Sequence, residues 1–288
     1  MPPGPSASAP GRWRRSAYIG PLEIMIRIDC HNFASPSFDL REQVRVAYEA
    51  LTRDGYVVLD GLLEPERVSG LQNDFSKAYA AYHEDREARD TLEVGNRRFM
   101  LSVGLSGRFA DRAVYAHPMV LAVVREVLDA EAILESFGAV LSLSGAERQH
   151  VHRDGSVLFN LAISTVLPAH ALNFALPLID MNEEHGTTAL WPGSHRWQRH
   201  DAEASPEIPI VPAGSGVLWD FRTYHSGTPN RSALHRPMIY ATYARRWYKD
   251  PGNFQKPGQR RLVLDREFLS KVPEDCRDLF SHLRPMEM

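Results

Sequence analysis

The chain has 288 residues, 43% of them hydrophobic and 24% charged, an ordinary globular composition that excludes a wholly disordered chain. Lys and Arg total 33 against 36 Asp and Glu; the net charge of −3 argues against a nucleic-acid partner, and no apolar run approaches the roughly 18 residues of a membrane span. Two cysteines, Cys30 and Cys276, make neither a disulfide framework nor a cysteine-rich zinc site and point to a reducing, cytoplasmic compartment.

Residues 1–35 are expected to be a disordered leader, because their first two dozen positions are rich in Pro, Gly and Arg and cannot bury enough surface to order themselves. No apolar stretch of signal-peptide length follows Arg15, and Met25 offers a second possible start. One folded domain is expected over 36–288. Ser37 is placed to cap a first helix, with Leu40, Val44, Ala47 and Leu51 on one face. The glycine-bounded run 55–61 reads as a buried strand. Pro65, whose fixed φ suits a helix start, opens a second helix reaching about Tyr82. Residues 83–110 are charged and weakly periodic, with loop or strand pieces near Val94 and Phe99. A short amphipathic helix follows at 118–128. From Ala132 onward, short apolar runs at 132–143, 173–179, 188–191, 216–221 and 238–244 are separated by Gly, Pro, Asn and Asp. Such a series reads as an antiparallel sandwich or barrel, so the fold class is mostly β with helical additions.

Eight of the twelve histidines fall between 150 and 235, a weak pointer to a metal site. The sharper signal is Gln149-His150-Val151-His152-Arg153-Asp154. On an extended segment residues two apart share a face, so His152 and Asp154 can present an imidazole and a carboxylate to one ion. A distant histidine would complete the two-His, one-carboxylate face of a non-haem Fe(II) site. A bare His-x-Asp is common by chance, and His150 with His152 keeps a zinc-binding His-x-His pair open. His225 lies just beyond the apolar run 216–221, and Arg236 follows eleven residues later. An arginine inside an apolar barrel needs an anion, and its planar fork suits a dicarboxylate; the plainer alternative is an ion pair with one of the chain's own acids. His195 reads as a turn residue, and His170 and His235 as weak substrate contacts. No Gly-x-Ser-x-Gly elbow supports a hydrolase triad.

Four landmarks in this order carry a family resemblance: Gln149-x-x-His152-x-Asp154, the stretch from Glu184 through Thr188 to His195, His225 with Asn230, and Arg236. Residues 36–250 resemble the phytanoyl-CoA dioxygenase family of Fe(II)/2-oxoglutarate oxygenases. The resemblance implies a double-stranded β-helix (jelly-roll, cupin-like) core with N-terminal helices. It implies that His152, Asp154 and His225 hold Fe(II), that Arg236 grips the far carboxylate of 2-oxoglutarate, and that Gln149 and Thr188 also touch this co-substrate. The strand around Asn173 departs from the aromatic pattern of many relatives, which puts co-substrate contacts from it in doubt. The function so implied is O2-dependent hydroxylation of a small, secondary-metabolite-like molecule with release of succinate and CO2. Desaturation, epoxidation or rearrangement at the same iron remain alternatives, as does a metal-binding isomerase or binding module without O2 chemistry. Substrate selection is expected from 92–105, 157–171 and 245–259, the last with Trp247, Tyr248 and Phe254.

Overall fold

The computed structural model describes residues 25–79, 91–155, 157–159, 162–255 and 259–283. The expected leader before residue 25 and the extension of the second helix to Tyr82 lie outside the described residues. Ordered structure nevertheless starts before residue 36. A short strand, β1 (Arg27–Asp29), pairs in parallel with β2 (Tyr56–Asp60), buries Ile28 and Cys30, and ties Arg27 to Asp60. Three residues with one inward apolar side chain carry no periodicity, which is why the sequence pattern passes over them.

Between these strands runs α1 (Leu40–Arg53), capped by Asp39, whose carboxylate accepts from the Glu42 amide at 3.1 Å, and not by Ser37. It stops at Gly55, whose φ of +85° is open to glycine at little strain. The chain continues through α2 (Pro65–Tyr79) and the hairpin β3 (Thr91–Gly95) and β4 (Arg98–Ser102). After the short pieces β5 (Gly104–Leu105) and α3 (Arg112–Tyr115) comes α4 (Pro118–Val127). The remaining strands are β6 (Ile133–Ser142), β7 (Ala171–Pro177), β8 (Thr188–Leu190), β9 (Gly216–Asp220), β10 (His225–Gly227), β11 (Arg236–Ala244) and β12 (Val263–Leu264), which pairs with β5.

Eight of these strands form one sheet in the order β1-β2-β9-β7-β11-β6-β4-β3, antiparallel except for the β1–β2 pair. The chain before residue 132 is therefore not purely helical; it supplies four strands of the sheet, β1 to β4. A smaller layer, β8 paired with β10 and extended by a bridge between His152 and His225, faces the large sheet, the jelly-roll arrangement expected. Strand β11 shows how the layers divide the sequence. Ile239, Ala241 and Tyr243 pack into the core shared with helices α1, α2 and α4, while Arg236, Met238, Tyr240 and Thr242 line a cavity between the two β layers. No helix among the described residues is long and apolar enough to cross a membrane.

Candidate active site

The His-x-Asp segment leaves β6 and runs antiparallel to β10. His152 and His225 exchange both backbone hydrogen bonds, at 3.0 and 2.9 Å, so their side chains are direct cross-strand neighbours with ring centroids 4.3 Å apart. Each imidazole is oriented from behind. His152 Nδ1–H donates to the His150 carbonyl at 2.9 Å, and His225 Nδ1–H donates to the Thr223 carbonyl at 3.0 Å. A carbonyl oxygen only accepts, so each Nδ1 carries a proton and each Nε2 is the ring atom turned toward the ligand position.

Asp154 closes the triad, with Oδ1 3.5 Å from His225 Nε2. The ligand atoms of His152, Asp154 and His225 all lie within 4.8 Å of one another, a span that one ion bridges. Burial by itself would raise the Asp154 carboxyl, but the charge and hydrogen bond of His225 and the hydrogen bond from Trp219 hold it below the usual carboxylate range. Burial also pushes His152 down to about 4, which favours the neutral ligand form. A carboxylate gathered with two imidazole Nε2 atoms is a donor set matched to a divalent cation. His150 is not in this set. It is exposed and offers His152 its carbonyl, so the His-x-His alternative brings no third ligand.

Arg236 lies at the start of β11 with 1% of its surface exposed, and it has no carboxylate within ion-pair distance among the described residues. Its Nη1 faces the sulfur of Met181 at 3.0 Å, and its Nε has no partner. The internal ion pair that sequence alone left open is not formed. A second buried arginine, Arg98 of β4, lines the same cavity. It donates to the carbonyls of Thr228 at 2.9 Å and Glu147 at 3.2 Å and reaches Gln149 Oε1 at 3.4 Å, and its Nε is unpartnered. Burial lowers Arg98 to about 10; burial and then the charge of Arg98 lower Arg236 to about 9. Two buried guanidiniums with no acidic partner among the described residues have the chemistry to receive an anion with two negative ends.

Gln149 also lines this pocket, but its amide is engaged by the protein: Nε2–H donates to the Val94 carbonyl at 2.7 Å and Oε1 accepts from the Gly227 amide at 3.1 Å. It holds β3, β10 and Arg98 together. Thr188 on β8 reaches the cavity opposite Gly227. The cavity is about 420 Å³, within the range of small-molecule sites. Beyond the triad its wall is formed by Met100, Phe221 and Phe254, with Glu93, Asp250 and Asn253 among the polar groups. Five of these six residues lie in the expected regions 92–105 and 245–259; Phe221 does not, and no described residue of 157–171 lines the cavity. His170 is buried against Tyr248, with ring centroids 4.5 Å apart; His235 accepts from the Ser144 amide; His195 is buried in the turn Ser194–Arg196.

The sequence reading missed Arg98, Asn173 and Trp219. Asn173 Nδ2–H and Trp219 Nε1–H both donate to Asp154 Oδ2, at 2.6 and 3.0 Å. Period-two alternation in 98–102 places Arg98 with Met100 on one face, but nothing local says that this face meets the cavity.

With this geometry in hand, the comparisons are consistent. A family model described as Phytanoyl-CoA dioxygenase (PhyH) matches residues 51–238. The chain is 26% identical over 211 residues to the dioxygenase olcK of Penicillium canescens, covering 68% of each protein. It is 27% identical over 214 residues to the Fe(II)/2-oxoglutarate-dependent dioxygenase nvfF of Aspergillus novofumigatus, covering 67% of this chain and 71% of that one. Among solved structures, the non-heme alpha ketoglutarate dependent epimerase SnoN from nogalamycin biosynthesis superposes with a TM-score of 0.57 at 18% identity, covering 78% of this chain and 96% of SnoN. That likeness is one of fold.

Proposed function

Because this chain belongs to the phytanoyl-CoA dioxygenase (PhyH) family, we propose that it is an Fe(II)/2-oxoglutarate-dependent dioxygenase that hydroxylates a small, secondary-metabolite-like molecule. The observation that carries the reading is the meeting, in one cavity, of a His152–Asp154–His225 metal-ligand set with two buried arginines that lack a counter-charge. Fe(II), when bound, would supply the O2-activating chemistry, with 2-oxoglutarate converted to succinate and CO2, one oxygen atom of O2 entering succinate and the other the product.

The protein's own part is positional. His152, Asp154 and His225 hold the metal. Arg236 takes the distal carboxylate of 2-oxoglutarate through its planar fork, and Arg98 adds a second positive charge beside it. Gln149 fixes Arg98 from the side, and Thr188 offers a hydroxyl at the same end of the cavity. Met100, Phe221 and Phe254 shield the reacting centre from water and give a mostly apolar substrate its surface, while Glu93, Asp250 and Asn253 read its polar groups.

The reading is tested by adding Fe(II) and 2-oxoglutarate without O2 and recording the weak visible charge-transfer band of the chelate. Substrate-stimulated succinate release, with product masses rising by one oxygen, then tests hydroxylation itself. Absence of the band in protein that binds neither component would remove the proposal. Product of unchanged mass would move it to an isomerising outcome.

A further inference from the structure

Three neighbouring strands put one row of side chains behind the metal carboxylate. In the sheet register Asn173 of β7 stands opposite Thr242 of β11 on one side and opposite Trp219 of β9 on the other. All three are buried and line the cavity. Thr242 Oγ1–H donates to Asn173 Oδ1 at 2.6 Å, and Asn173 Nδ2–H donates to Asp154 Oδ2 at 2.6 Å. Trp219 Nε1–H adds a second donor to the same Oδ2 at 3.0 Å. The remaining contacts of Asp154 are Oδ1 with His225 Nε2 at 3.5 Å and its main-chain carbonyl with Asn253 Nδ2 at 3.2 Å.

We infer that the Thr242–Asn173 pair, with Trp219, is a positioning device that reserves one carboxylate oxygen of Asp154 for the metal. The inference rests on the iron reading above. Two N–H donors occupy Oδ2 and leave Oδ1 as the metal-facing atom. The count of positions is what this device protects. A six-coordinate ion held by three protein atoms keeps three places, which a two-point co-substrate and O2 together need; a carboxylate bound through both oxygens would leave two. Thr242 acts at one remove. An asparagine amide could turn and present its oxygen to Asp154, where two acceptors would repel. The Thr242 hydroxyl hydrogen holds that oxygen on the far side, so the NH2 end faces the carboxylate. Asn173 and Thr242 are thus positioning residues, and neither touches the metal.

The experiment is an anaerobic Fe(II) competition titration against a chelator, on metal-free full-length protein, with thermal melting of each variant as the fold control. Wild type is compared with His225→Ala, Asn173→Leu, Trp219→Phe, Thr242→Val, Thr242→Ser and the Asn173→Leu/Thr242→Val double variant. Asn173→Leu is expected to weaken Fe(II) binding about 10- to 100-fold, as loss of a metal-orienting partner does. Trp219→Phe and Thr242→Val, which each remove one polar group, are expected to weaken it roughly 2- to 12-fold, the effect of one ordinary hydrogen bond. Thr242→Ser keeps the hydroxyl and is expected to bind as wild type. The double variant should bind no worse than Asn173→Leu alone, because Thr242 works only through Asn173. Undiminished affinity in Trp219→Phe and Thr242→Val, or additive losses in the double variant, overturns the inference even if Asn173→Leu does not fold. Wild type binding no tighter than His225→Ala would instead overturn the iron reading on which it stands.

Discussion

Arg98 and Arg236 are cross-strand neighbours of the same residue, Ser142, one on each side of β6, so a single row of the sheet carries both buried guanidiniums. Like charges in one row are unfavourable: burial lowers both arginines, and the charge of Arg98 lowers Arg236 further. An anion that spans them would relieve the arrangement. Arg236→Lys keeps the charge but loses the fork. It should weaken 2-oxoglutarate binding roughly 10- to 150-fold, the range for a lost charge-assisted hydrogen bond of about 1.5 to 3 kcal/mol. Titration of the visible chelate band with 2-oxoglutarate measures this, and an unchanged half-saturation point would place the clamp elsewhere. Arg98→Met should shift the same titration in the same direction while leaving Fe(II) affinity intact.

The proposed metal ligands His152, Asp154 and His225 lie outside the hydrophobic core clusters. His152→Ala and His225→Ala should therefore lose Fe(II) binding and turnover while the far-ultraviolet spectrum and melting profile stay close to wild type. Wild-type rates in both variants would refute the ligand assignment.

Gly227 is a position where the absent side chain matters. A Cβ there would run into Arg98 Nη1 and into Gln149 Oε1. Gly227→Ala should push Arg98 off its place and raise the 2-oxoglutarate concentration needed for half-saturation about 10-fold or more, one charge-assisted hydrogen bond's worth. A normal requirement in this variant would mean that Arg98 takes no part in holding the anion.

His117 caps α4, its Nδ1 accepting from the Met119 amide at 3.2 Å, and burial pushes it down from 6.5 to about 4. Between those values the unfolded chain binds a proton that the folded one refuses. The stability contributed by neutral His117 is full above about pH 6.5 and falls away as pH drops toward 4, by up to about 3 kcal/mol. His170 and His195, also lowered to about 4 by burial, add to the same acid slope. His117→Asn keeps a good capping residue and removes one titrating group. Denaturant melts at pH 7 and pH 4.5 should show a smaller loss for the variant than for wild type; equal losses would show that His117 does not titrate in this window.

The sequence reveals the chemistry of this site better than its construction. His152 and Asp154 stand out because an imidazole and a carboxylate two apart share one side of an extended segment, the family resemblance adds His225 to them, and Arg236 stands out because an arginine in an apolar run asks for an anion. Strands 55–61, 132–143 and 216–221 are legible because β-branched and apolar runs are bounded by turn residues. Arg98 and Asn173 are not legible, since their roles exist only through register: Arg98 matters because β4 lies against β6, and Asn173 because β7 lies between β9 and β11. Gln149 has a structural part that the sequence does not show: beside the co-substrate contact that the family resemblance implies, both ends of its amide are bonded to Val94 and Gly227. β1 escaped because parallel pairing at a sheet edge leaves no local signature in three residues.

That edge strand carries a reporter of its own motion. Cys30 follows β1 directly, its amide bonded to the Asp60 carbonyl at 2.7 Å, and burial, aided by the nearby charges of Asp29 and Asp60, pushes its thiol up to about 12. In the closed sheet the thiol is inaccessible and almost never ionised, so an alkylating reagent can reach it only when β1 peels away from β2. The rate of Cys30 modification is thus a clock for the fraying of that edge. Cys276, buried under the C-terminal turns far from it in the chain, supplies an internal second rate for the opening of the helical side.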